Sequence, residues 1–217
     1  MKKKYNNYVF TGIILLIMFV VWTVLIQLVD VQCIGPNGTK VGFATLNGWF
    51  HRITGVHMTI YTITDWLGLV PVLVCMVFGG LGFVQLAKRK NILKVDSDIL
   101  LLGIYYVVVI VGYLVFEMFP MNYRPILIEG RQEASYPSST TLLVLSVMPT
   151  LIFQVKRRLN CVFLKKMIIV LTIIFSTGMV VGRMIAGVHW FTDIVGSVLL
   201  CSGLYCLYRA AVESTDK

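Results

Sequence analysis

ILLLGIYYVVVIVGYLVFEMF, residues 99–119, decides the fold. Twenty-one residues pass with a single charge, Glu117, and about 20 apolar residues are what a helix needs to cross the hydrocarbon core of a bilayer. Working outward, similar apolar runs occupy about 8–31, 66–87, 140–155, 167–182 and 190–208, so the reading is six spans in one 217-residue membrane domain. The run at 140–155 is short and contains Pro149. The run at 8–31 is too long for a signal core and lacks a small-residue cleavage site, which makes it an anchor. The expectation is an all-α, polytopic, six-transmembrane-helix bundle.

Composition agrees with that reading. Hydrophobic residues make up 58% of the chain and charged residues 13%, with a mean hydropathy of +0.84, whereas soluble domains carry about 25% charged residues. The net charge of +9 invites a nucleic-acid reading, but the basic residues sit in short clusters between apolar runs, as in the cytoplasmic loops of membrane proteins. Nucleic acid is therefore not an expected partner. The five cysteines show no metal-ligand spacing, and His51 and His57 are six apart with no carboxylate cluster beside them. Neither a metal nor a cofactor is expected.

Orientation follows from the basic residues. Lys2, Lys3, Lys4, Lys88, Arg89, Lys90, Lys94, Lys156, Arg157, Arg158, Lys165, Lys166, Arg209 and Lys217 fall on one side, against Lys40, Arg52, Arg124, Arg131 and Arg183 on the other. That split, 14 to 5, places both termini in the cytoplasm. The outward segments are then 32–65, 120–137 and the turn before His189. In the first of these, Phe43, Leu46, Trp49, Phe50 and Ile53 recur at near-helical spacing, which predicts a helix lying in the membrane interface.

The outward segments also carry the residues with chemical potential. One reads Asn122-Tyr123-Arg124-Pro125, then Glu129-Gly130-Arg131-Gln132-Glu133, then Tyr136-Pro137-Ser138-Ser139-Thr140-Thr141; the other has Gly182-Arg183, His189 and Asp193. Four residues apart at a helix start, His189 and Asp193 are expected to share a face, where a carboxylate can orient an imidazole. Hydroxyl residues at 138–141 open a helix whose free N–H groups suit an anion, and the forked guanidiniums of Arg124 and Arg183 suit a phosphate. Taken singly, Arg183 reads equally as a snorkelling residue at a span end and Ser138 as a helix cap. Together on one side of a membrane they point to a site.

This arrangement resembles the type 2 phosphatidic acid phosphatase family of membrane lipid phosphatases, over roughly residues 65–210. The family pattern is Lys-x6-Arg-Pro, Pro-Ser-Gly-His and Ser-Arg-x5-His-x3-Asp. Arg124-Pro125, Pro137-Ser138 and Arg183/His189/Asp193 match it, with Gly182 in the serine slot. The resemblance implies His189 as nucleophile, Asp193 as its orienting partner, and Arg124, Ser138 and Arg183 as phosphate ligands, with Ser139 beside them at the helix start. Two positions depart from the pattern. Glu117 replaces the lysine, and Ser139-Thr140 replaces Gly-His, which removes the expected general acid. Glu117, Glu129 and Glu133 are candidate substitute acids, Arg131 is a candidate replacement for the lost positive charge, and Thr140 cannot titrate near neutral pH.

The resemblance implies hydrolysis of a phosphorylated lipid at the extracytoplasmic face through a phosphohistidine. Without the acid, an isoprenyl diphosphate of cell-envelope synthesis is the expected substrate, and a bacterial plasma membrane the expected location. The alternative is a binder or transporter of phosphorylated lipids that has lost turnover.

Overall fold

A computed structural model describes residues 2–215, with side chains from Lys4 onward; Lys217 and the side chains of Lys2 and Lys3, three of the basic residues in the orientation argument, lie outside what it describes. Eight α-helices follow in order: α1 (Lys2–Leu28), α2 (Ala44–Thr54), α3 (Met58–Leu67), α4 (Leu69–Arg89), α5 (Ser97–Met118), α6 (Ser139–Arg158), α7 (Val162–Ile185) and α8 (Phe191–Thr215). Among the described residues there are isolated bridges but no strands. Helices α3 and α4 run on as one apolar segment, so six segments are long and apolar enough to cross a membrane. The chain is an all-α integral membrane protein with six candidate spans.

Burial explains the uneven hydropathy of the runs. Helix α6 has 61% of its apolar window buried within the protein, against 17% for α1, α3–α4 and α7, so α6 is the central helix. It packs on α7 and α8 and can hold Thr140, Thr141, Ser146, Thr150 and Gln154 in its buried face, because those groups meet protein rather than lipid. Its apolar run looked short for that reason, and the helix continues through Lys156 to Arg158. Helix α1 closes against α8, where Gly203 permits contact: a Cβ there would stand 2.8 Å from Leu16. Large apolar side chains on α1, α4, α5 and α7 point outward, as lipid-facing surfaces do.

Two regions differ from the sequence reading. Residues 58–65, expected in the first connection, are helical and break only at Gly68, so the second segment begins at Met58. The expected amphipathic helix forms as α2, with Trp49 and Ile53 exposed and Asn47 fully buried against α8. At the end of the bundle away from α2, Arg158 makes a two-pronged contact with Asp98, 2.8 Å to each oxygen, and Asp96 links Arg89 and Arg158. These pairs tie α4, α5 and α6 together at that end.

Candidate active site

Three segments meet at the α2 end of the bundle, each held by its own anchors. The connection from α5 to α6 folds back on itself. Arg124 N–H donates to the Glu133 carbonyl at 3.1 Å, Ser135 N–H donates to the Asn122 carbonyl at 2.9 Å, and Glu129-Gly130 forms a tight turn with positive φ at both residues. Tyr136 then plugs into the bundle, stacked on Phe19 with its hydroxyl 2.7 Å from that of Thr23. The α7–α8 turn depends on Gly187, whose φ is 68° and where a Cβ would fall 1.9 Å from the Gly55 carbonyl oxygen. The first turn of α8 is clamped by Asn47, which donates to Thr192 Oγ1 at 3.0 Å and accepts from Thr192 N–H at 3.2 Å. Trp190 Nε1 donates to the Tyr123 carbonyl at 2.7 Å, linking the turn to the α5–α6 connection.

These anchors fix His189, which is buried just before α8. Its Nε2 faces two guanidiniums, Arg183 Nη2 at 3.3 Å and Arg124 Nη1 at 3.5 Å. Guanidiniums only donate, so Nε2 must carry its lone pair and the ring proton must sit on Nδ1. Nδ1 in turn lies 3.1 Å from the Ser135 carbonyl oxygen and 3.2 Å from Ser135 Oγ. Burial pushes the imidazole pKa down to about 4; Asp193 opposes that shift, while the Arg124 and Arg183 cations add to it. The ring is neutral at pH 7.

Asp193 is fully buried, with Oδ2 3.8 Å from His189 Nδ1, within ion-pair range and beyond hydrogen-bonding range. His189 and Asp193 lie on one face, as their spacing predicts, and the Ser135 hydroxyl is within reach of both side chains. Asp193 accepts from Ser135 Oγ, from Trp190 N–H at 2.9 Å and from Asn122 Nδ2 at 3.4 Å.

The two arginines are packed around Tyr61. Arg183 lies 4.9 Å and Arg124 5.8 Å from its ring centroid. Arg183 is 1% exposed and reaches Thr64 Oγ1 at 3.4 Å and Asp65 at 3.9 Å. Arg124 forms an ion pair with Glu133 at 3.0 Å, outside hydrogen-bonding geometry. The Nε atoms of both arginines are buried without hydrogen-bond partners among the described residues. Two buried guanidiniums with spare donors, converging on one lone pair, are suited to an anion.

Beside them lies a polar cavity of about 190 Å³, walled by Tyr113, Glu117, Arg124, Glu133, Ser139 and His189. Tyr113 and Ser139 also border a second, mainly apolar groove of about 370 Å³ between α4, α5 and α6, lined by Leu69, Val72, Val109, Ile110 and Leu143. A charged group and an apolar chain on one molecule could be accommodated side by side.

The structure thus brings Arg124, Arg183, His189 and Asp193 together, with Glu117 and Ser139 in the cavity wall. Ser138 lies behind that wall: it is fully buried, with its hydroxyl donating to Thr141 Oγ1 at 3.1 Å, and reaches Asp193 only through its backbone N–H. Ser138 is the N-cap of α6, so the first-turn N–H groups of the helix open beside the cavity. Thr140 faces the apolar groove. Arg131 and Glu129 are exposed on the tight turn, and neither lines the cavity. Arg124 pairs with Glu133 rather than Glu117, which lies at the exposed end of α5. Ser135, Asn122, Tyr61 and Thr64 complete the site. Sequence reasoning assigned them no role, and only Asn122, next but one to Arg124, carried any signal.

Comparison with known proteins adds two findings. The PAP2 superfamily profile matches residues 99–215. A structure similar to this one is the crystal structure of a transmembrane PAP2-type phosphatidylglycerolphosphate phosphatase from Bacillus subtilis, 16% identical, with a TM-score of 0.67 over 94% of this chain and 97% of that one. At that identity the likeness establishes the fold. No curated protein matches the chain.

Proposed function

Because the chain belongs to the PAP2 superfamily, we propose that it is a metal-independent lipid phosphatase whose nucleophile is His189 and whose preferred substrate is an isoprenyl diphosphate. The observation that carries the proposal is the neutral Nε2 of His189, held under two buried guanidiniums at the edge of a cavity that shares Tyr113 and Ser139 with an apolar groove. Nε2 attacks the terminal phosphorus, the bond to the bridging oxygen breaks, and the lipid monophosphate leaves. Water then cleaves the N–P bond of the phosphohistidine, releasing phosphate and restoring the imidazole. Arg124, Arg183 and the free N–H groups at the start of α6 hold the equatorial oxygens as charge builds on them. The apolar groove takes the first part of the lipid chain.

Leaving-group chemistry sets the substrate preference. A phosphomonoester lipid expels an alkoxide whose conjugate acid has a pKa near that of water, about 16. A diphosphate expels a phosphate monoester with a second pKa of about 6, which needs little protonation. With Thr140 in the position of the family histidine, no imidazole other than His189 lines the cavity. The basic-residue distribution supports cytoplasmic termini and a site at the extracytoplasmic face, where a carrier lipid of bacterial envelope synthesis would present its diphosphate.

Phosphate release by purified protein in detergent tests the reading, with an isoprenyl diphosphate and phosphatidic acid as substrates and His189→Ala as control. Release that depends on His189 and favours the diphosphate supports it. Comparable turnover of both lipids contradicts the leaving-group argument, and tight lipid binding without release makes the protein a binder or transporter of phosphorylated lipids.

A further inference from the structure

Two hydrogen-bond contacts meet Nδ1 of His189, and both come from Ser135. Its backbone carbonyl accepts from Nδ1–H at 3.1 Å and its hydroxyl oxygen stands 3.2 Å from the same nitrogen. The hydroxyl also contacts Asp193 Oδ2. A carboxylate oxygen can only accept, so the Ser135 hydroxyl donates to Asp193 and turns a lone pair toward Nδ1–H. At 3.8 Å, the direct separation of His189 and Asp193 exceeds hydrogen-bonding range. All three side chains are buried.

We infer that Ser135 is a positioning residue that couples Asp193 to His189, so that the carboxylate acts on the nucleophile through a serine hydroxyl. The inference rests on the phosphohistidine reading above. When Nε2 bonds to phosphorus, the imidazole becomes cationic while Nδ1 keeps its proton. The Nδ1–H bond to Oγ then strengthens, and Oγ can respond because its own proton is committed to Asp193. The carbonyl alone fixes the tautomer, whereas the hydroxyl lets the Asp193 charge stabilise the phosphoimidazolium. The fold is built to hold this arrangement: Ser135 N–H is tied to the Asn122 carbonyl, Tyr136 is plugged into the bundle, and Asn122 Nδ2 holds the other oxygen of Asp193.

The test is steady-state kinetics of phosphate release from isoprenyl diphosphate in detergent for wild type, Ser135→Ala, Ser135→Thr, Asp193→Asn and the Ser135→Ala/Asp193→Asn double variant. Ser135→Ala should lower kcat by about 10–10²-fold with KM changed less than about twofold, since the substrate contacts survive and only the orientation and charge behind the nucleophile are lost. Ser135→Thr, which keeps the hydroxyl, should recover most of kcat. Asp193→Asn should cost much less in the Ser135→Ala background than alone, because the path between them is already cut. Multiplicative losses in the double variant, or equal losses in Ser135→Ala and Ser135→Thr with both proteins folded, overturn the inference. Should Ser135→Ala not fold, Ser135→Cys keeps the size with a weak donor, and wild-type kcat in that variant overturns it equally. Failure of the underlying reading looks different: wild type itself releases no phosphate, or His189→Ala releases as much, and the role of Ser135 falls with it.

Discussion

A buried neutral histidine leaves a mark on stability as well as on catalysis. In the unfolded chain His189 takes up a proton near pH 6.5; in the fold, burial and two guanidiniums push that event down to about 4. Between those values the unfolded state binds more protons, so stability rises with pH across the window. The contribution is fully present above pH 6.5 and is lost as pH falls toward 4. The difference of roughly 2.5 units at about 1.36 kcal/mol each amounts to about 3 kcal/mol. The perturbation is His189→Asn, which keeps a polar group of similar shape without a titration. Thermal unfolding in detergent should lose on the order of 5–10 °C more in wild type than in His189→Asn between pH 7 and pH 4.5. The same assignment predicts a kcat/KM flat from pH 5 to 7 on the acid side, since the nucleophile is already unprotonated. Parallel pH dependence of unfolding in the two proteins would refute the reasoning, because His189 would then titrate alike folded and unfolded.

Further outcomes follow from the same geometry. Thr140→His places an imidazole in the first turn of α6, on the wall of the apolar groove that shares Ser139 with the cavity, and if it can swing to the leaving oxygen, turnover of a phosphomonoester lipid should rise by about 10²-fold while diphosphate turnover changes little, measured as the ratio of the two kcat/KM values. Gly187→Ala forces a side chain into positive φ and against the Gly55 carbonyl, so it should cost at least about 2 kcal/mol of stability by chemical denaturation, or displace His189 enough to lower kcat by about 10²-fold. Asn47→Ala leaves Thr192 N–H without its partner and unclamps α8 from α2; unfolding should come earlier by about 1–3 kcal/mol, with KM for lipid little changed.

How much of this was legible in the sequence varied from element to element. The uninterrupted run at 99–119 gave α5 almost to the residue, because a lipid-facing helix must be apolar on nearly every side. Helix α6 was read short, since a helix buried by its neighbours can carry Thr150 and Gln154 and so loses the hydropathy that marks a span. In Met58 to Asp65 the apolar signal is diluted by Thr59, Thr62, Thr64 and Asp65, yet the segment is helical, and the hydroxyls of Thr62 and Thr64 bond back to carbonyls of their own helix. In the site, Arg183, His189 and Asp193 were found by their spacing. Ser135 was not, because its role comes from a hairpin that brings residue 135 to residue 122 and both to residue 193, and no local pattern encodes that contact. Ser138 was assigned to phosphate from the resemblance, and its burial toward Thr141 turns attention to the α6 backbone instead.

Side-by-side turnover by purified wild type of an isoprenyl diphosphate and phosphatidic acid, with His189→Ala in parallel, tests the central claim most directly. The account predicts phosphate release that is lost in His189→Ala and a kcat/KM higher for the diphosphate by at least about tenfold. Equal rates on the two lipids, or release that survives in His189→Ala, would contradict it.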